Sequence, residues 1–178
     1  MKKKMSEMTP EEQLEEGIGM AKRFAQDHFD PFDDELPCGM ALATKDSKTN
    51  EILDEPGIVF AAFDPEFFSS SEMKRNLIKS IQKITEEYNA IFMVLMFRAW
   101  AAPFDPDSKK NIRPSQHEER TEKKMLVVQH RTLGTSIHVA NITKDSDGKA
   151  SLSDFRKMDS FGEGLMVGSF FKEKIGIN

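Results

Sequence analysis

Ala90 to Phe97 is an unbroken apolar run, and it leads directly into Arg98, Ala99 and Trp100. A segment of that length without polar alternation is too short for a buried helix to be the natural choice and far too short to span a bilayer. It predicts a strand over Ile91 to Trp100 that is covered on both faces for most of its length. Alternation places Phe92, Val94, Met96, Arg98 and Trp100 on one face. The apolar character of that face therefore fails at its far end, where a cation and an indole stand.

The elements around this strand are marked by local chemistry. Thr9, Pro10 and Glu12 form an N-cap, a first-turn proline and a reciprocal capping glutamate. Leu14, Ile18, Ala21, Ala25 and His28 then recur at spacings of three and four, with Phe24 widening the stripe, until Asp30-Pro31 ends the helix. Short strands are expected over Gly39 to Thr44 and Gly57 to Phe63, paired as a hairpin with a polar tip at Asp46 to Asn50. Ser69 and Glu72 predict a second capping box. Met73, Leu77, Ile81, Ile84 and Tyr88 line one face of the helix that follows, and Asn89 is its expected stop. After the central strand come a polar stretch with prolines at 103, 106 and 114 and then a hairpin, Lys123 to Arg131 with Thr135 to Thr143. In the remaining tail, Asp147-Gly148 predicts a turn and Ser151 to Met158 a short helix.

The expected fold is thus α+β: one domain over residues 9–178 behind a frayed tail of residues 1–8. Helices pack on a central, mainly antiparallel five-stranded sheet in the order α-β-β-α-β-β-β, an element order similar to that of profilin-like and roadblock-like domains. That similarity carries no function.

Composition narrows the setting. At 178 residues the chain can bury a core that needs no staples. A net charge of −5 weighs against binding nucleic acid by phosphate neutralisation. Cys38 is the single cysteine, so no intrachain disulfide forms, and no signal-type segment follows Met1. A cytosolic protein without a membrane partner or a cofactor is expected.

The histidines and the polar stretch supply the candidate chemistry. His117 with Glu118, Glu119 and Glu122 could ligate a metal or move protons. The plainer alternative is a solvated loop in which Arg113 or Arg120 pairs Glu122. Lys123-Lys124 after Glu122 makes a Glu-x-Lys at a strand start, without the paired Pro-Asp of a nuclease site. His130 and His138 share a face if Thr132, Leu133 and Gly134 form a type I turn with a glycine bulge, and face apart if Leu133-Gly134 is a two-residue turn. Thr143 to Phe155 matches a calcium loop at several positions but lacks its first acid and its terminal glutamate. Arg98 and Trp100 are residue types enriched where proteins dock. In the alternative, Trp100 caps the core and the stem of Arg98 covers its ring.

The Trp-terminated strand, the segment Arg113-Pro114-Ser115-Gln116-His117-Glu118-Glu119-Arg120-Thr121-Glu122 and the hydrophobic hairpin together resemble a group of small α+β proteins of bacteria and their phages. The likeness covers roughly residues 58–143. That group has no assigned function, so the resemblance implies the fold and an intracellular, phage- or defence-related setting rather than an activity.

Two function classes follow. The first is a non-catalytic module that binds or regulates a protein partner through Arg98, Trp100, Arg113, His117, Arg120 and Glu122. The second is a small metal-dependent hydrolase using His117, Glu118, His130 and His138.

Overall fold

A computed structural model describes residues 3–32, 36–102, 116, 118–158 and 169–172. The elements are α1 (Pro10–Asp27), β1 (Cys38–Lys45), β2 (Ile52–Ala62), α2 (Ser71–Glu87), β3 (Phe92–Ala101), β4 (Thr121–His130), β5 (Gly134–Lys144), β6 (Ala150–Leu152) and β7 (Arg156–Lys157). All strand pairings are antiparallel, and the sheet runs β2-β1-β3-β4-β5-β6, with β7 also on β5. Strand β3 lies in the interior of the sheet, paired with β1 on one side and β4 on the other. Its residues Phe92 to Phe97 are all buried.

Alternation along β3 divides the core in two. Phe92, Val94 and Met96 join Met40 and Leu42 of β1 under Ala21 and Ala25 of α1. Met93, Leu95 and Phe97 join Val127 of β4 under Leu77 and Ile81 of α2. Each helix thus covers one face of the same sheet, and the order of strands along the chain puts them there: β2 returns through α2 to β3, which pairs β1 on the side away from β2.

The helix ends largely follow the sequence signals. Thr9 Oγ1 accepts from the Glu12 N–H, and Glu12 accepts from the Thr9 N–H at 2.7 Å. Asn89 adopts φ 45°, the left-handed conformation in which asparagine ends helices, and its Nδ2 donates to Thr44 Oγ1. The cap of α2, however, is Ser70, which accepts from the Met73 N–H. Ser69 instead closes a preceding 3-10 turn, Pro65–Phe68. Another 3-10 turn, Met5–Glu7, lies in the segment expected to fray, and Met5 packs against the α1-side core.

The five-stranded expectation is corrected to seven strands among the described residues. Ser151 to Met158 forms no helix; β6 and β7 lie along the outer edge of β5. An eight-residue helix is marginal by itself, whereas the free edge of β5 offers backbone partners. Phe155 then packs on the α1-side core and Met158 on the α2-side core, a division that a single helical stripe cannot make. Asp147-Gly148 is a turn, as expected, held by the Asp145 carboxylate accepting from the N–H groups of Asp147 and Lys149. It leads into β6 rather than a helix.

Further along the chain, Ser169–Lys172 is stitched across α2 and β4. The Phe170 N–H donates to Gln129 Oε1 at 2.6 Å, its carbonyl accepts from Thr85 Oγ1, and its ring is fully buried.

Close approach of α1 to the sheet depends on Gly17. A Cβ there would lie 2.6 Å from the buried Phe92 ring, whereas one at Gly19 would meet only the tip of Arg23 at 3.4 Å. Alanine favours a helix interior over glycine by about 1 kcal/mol, but overpacking a core costs about 1–3 kcal/mol. Gly19→Ala is therefore expected to raise the urea midpoint and Gly17→Ala to lower it; equal shifts would show that the ring yields freely.

Candidate functional site

The two faces of the sheet end differently. On the α1 face the apolar layer formed by Met96 and Leu126 is followed by Arg98 opposite Lys124, and then by Trp100 opposite Glu122. These positions inherit their inward direction from strand alternation. They lie where α1 has ended and the chain turns outward through Phe29 and Asp30.

Arg98 is held from several sides. Its guanidinium lies 5.3 Å from the Phe29 ring centroid, Nη2 donates to the Asp30 carbonyl, and Nη1 meets Glu122 Oε1 at 3.5 Å. The side chains of Arg98 and Glu122 are only 11% and 14% exposed, so this pair is substantially desolvated. The Arg98 guanidinium is directed to Phe29, Asp30 and Glu122. The Arg120 guanidinium covers the indole at 5.0 Å, and Trp100 remains 46% exposed. A strand otherwise inside the core therefore ends by presenting an aromatic and a cation at the surface.

Lys124 is the residue that the sequence reading passed over. It is 3% exposed, in phase with Leu126 and Val128 on the α1 face, and burial pulls its amine down to about 8. It lines a small cleft of about 170 Å³ between α1 and the sheet. Phe24, Ala25 and His28 form the helix side, Cys38 and Met96 the sheet side, and Leu36 also lines it. Desolvation raises the Cys38 thiol to about 11, so it stays protonated, in keeping with its reading as a small structural residue. His28, expected on the apolar stripe of α1, is an exposed C-cap. Its ring stacks on Phe24 at 4.2 Å, and Nδ1 donates to the Phe24 carbonyl. The signal for Lys124 was its phase with the apolar residues of β4; no sequence signal tied His28 and Cys38 to it.

The hairpin histidines share a face. His130 pairs with Gly134 across the loop Arg131-Thr132-Leu133, and His138 pairs with Leu126. Gly134, the first residue of β5, takes φ 83°, and the turn is the three-residue loop before it rather than a two-residue turn at Leu133-Gly134. The structure does not bring the two together: four residues along a strand separate them by roughly 13 Å, too far for one ion with nitrogen ligands at about 2 Å. His130 Nδ1 accepts from the Thr132 N–H, while His138 Nε2 shares a hydrogen bond of 2.9 Å with Ser136 Oγ. His130 Nε2 and His138 Nδ1 are buried with no hydrogen-bond partner among the described residues. Glu118 is exposed, and Arg113 and His117 lie outside the described residues. Among the described residues no three His, Cys, Asp or Glu side chains gather as a metal site, and no helix is long and apolar enough to cross a membrane.

No family model matches the chain, and neither the curated proteins nor the solved structures contain a significant match to it.

Two outcomes test the electrostatics. Glu122→Gln leaves Arg98 facing a neutral amide in a desolvated position and is expected to cost about 1–3 kcal/mol in urea unfolding; an unchanged midpoint would show the pair to be solvent-screened. Burial, with Lys22 and Lys157 nearby, lowers His138 from 6.5 to about 4. As pH falls, the unfolded chain therefore takes up this proton first. The contribution of neutral His138 is complete above about 6.5 and declines towards about 4. His138→Gln cannot charge, so its stability should fall less steeply than that of the wild type across this interval. Parallel curves for the two proteins would refute the assignment.

Proposed function

We propose that this protein is a non-catalytic module that binds a protein partner through the end of the sheet where Trp100 and Arg120 are displayed. The observation that carries this reading is the half-exposed indole, stacked beneath the Arg120 guanidinium at the end of an otherwise buried strand. Tryptophan and arginine dominate the energetics of protein interfaces because each combines a large contact area with a directed polar group. Phe32, two residues after the Asp30 that meets Arg98, is also exposed (76%). Beneath the indole, the Arg98–Glu122 pair and the Phe29 contact give the patch a rigid base, so little side-chain freedom remains to be lost on docking.

The test is affinity purification with the intact chain, followed by titration of any retained partner against wild type, Trp100→Ala and Arg120→Ala. Trp100→Ala is expected to weaken binding by about 30-fold or more, the size of an interface hot spot, with the fold kept. Both variants binding as tightly as wild type would overturn this assignment of the surface.

A further inference from the structure

We infer that the pocket holding Phe170 is a recognition site for a phenylalanine-bearing segment of a protein partner, and that the chain's own Ser169–Lys172 occupies it as an intramolecular competitor. The site lies on the α2 face. Gln129 stands seven residues along β4 from Glu122, the position opposite Trp100, which is roughly 23 Å of strand. This surface is therefore distinct from the one that displays the indole. Local sequence pattern builds it. Leu77, Ile81 and Thr85 recur at every fourth residue of α2 and are all buried. Gln129 follows Met125 and Val127 at alternate positions of β4, also buried. One polar side chain from the helix and one from the sheet thus stand beside the apolar core that Phe170 joins.

The way the segment is held is that of a ligand. Strands β6 and β7 are bound by main-chain pairing, whereas every hydrogen bond and ion pair from Ser169–Lys172 to the rest of the described residues runs through a side chain of α2 or β4. Gln129 Oε1 accepts the Phe170 N–H at 2.6 Å, and Thr85 Oγ1 donates to the Phe170 carbonyl at 2.8 Å. Those two groups belong to any peptide, so they fix its position, and the fully buried ring supplies the selectivity. The flanks are read as well. Gln82 Nε2 donates to the Ser169 carbonyl, Glu86 meets the Lys172 ammonium at 2.6 Å, and the Arg131 guanidinium lies 6.0 Å from the Phe171 ring centroid. Ser169 Oγ accepts from the Phe171 N–H, a bond within the segment that supports its bend. None of these contacts uses the covalent connection to the rest of the chain, so the same four residues presented by a partner meet the same groups. Tethering gives the chain's own copy an effective concentration of about millimolar, which masks the site from weaker ligands.

The test titrates the peptide acetyl-Ser-Phe-Phe-Lys-amide into the full-length wild type and Phe170→Ala, with binding read from NMR chemical shifts. The peptide should bind Phe170→Ala at least about tenfold more tightly than the wild type, whose own segment competes. Replacing the first phenylalanine of the peptide by alanine should weaken binding at least about tenfold, the worth of one buried ring. Methylating the nitrogen of that phenylalanine should weaken it about fivefold, the worth of one main-chain hydrogen bond. Equal affinity for the two proteins, or equal affinity of the alanine peptide, would overturn the proposal. Where Phe170→Ala loses its native circular dichroism, Phe170→Leu takes its place; the peptide should then bind the leucine variant about threefold more tightly than the wild type, and no preference refutes the site. Sedimentation of the wild type supplies the remaining outcome: a dimer that Phe170→Ala abolishes would give the site to a second copy of the chain and refute the partner reading.

Discussion

Burial of β3 on both faces is the constraint on which the rest of this structure depends. A strand whose successive residues are all apolar must find two cores, and here it does so: Phe92, Val94 and Met96 face α1, and Met93, Leu95 and Phe97 face α2. A shift of register by one residue would exchange the two sets and seat the Phe92 ring away from Gly17, so the pairing with β1 and β4 is tightly specified. The placement of both helices follows from this division, because each covers the face that the central strand leaves in need of apolar cover.

The same constraint makes the polar end of the sheet unusual. Strand β3 outlasts its apolar run, so Arg98 is carried inward by alternation even though it bears a charge, and Lys124 is carried inward beside it on β4. The two cations meet this in different ways. Arg98 retains an ion pair, a carbonyl and an aromatic face. Lys124 is largely desolvated at the wall of an apolar cleft, which depresses its basicity. Two residues further along β3, Trp100 is again at the surface. From Met96 through Arg98 to Trp100 the environment on this face passes from core to desolvated ion pair to exposed aromatic, and the candidate chemistry lies in that transition.

Much of this was legible beforehand. The capping box at Thr9 and Glu12, the helical stop at Asn89, the hairpin β1–β2 and the double burial of β3 all rest on signals confined to a few neighbouring residues, and all are present. The misreadings share a cause. Ser151 to Met158 carries Leu152, Phe155 and Met158 at a helix-like spacing, but its conformation is set by the open edge of β5, a partner that no local pattern reveals. The Arg98 guanidinium meets Phe29, Asp30 and Glu122, and two of those come from a segment about seventy residues earlier, which no pattern around Arg98 reveals.

The sequence by itself determined the α+β class, the position of the central strand and the face that Arg98 and Trp100 share, because alternation is a property of adjacent residues. Only the tertiary structure decided that His130 and His138 share a face yet stand apart, that Arg120 covers the indole, and that His28, Cys38 and Lys124 line one cleft. Those relations join elements distant along the chain, and they depend on where α1 ends above the sheet, a length set by packing and legible only in three dimensions.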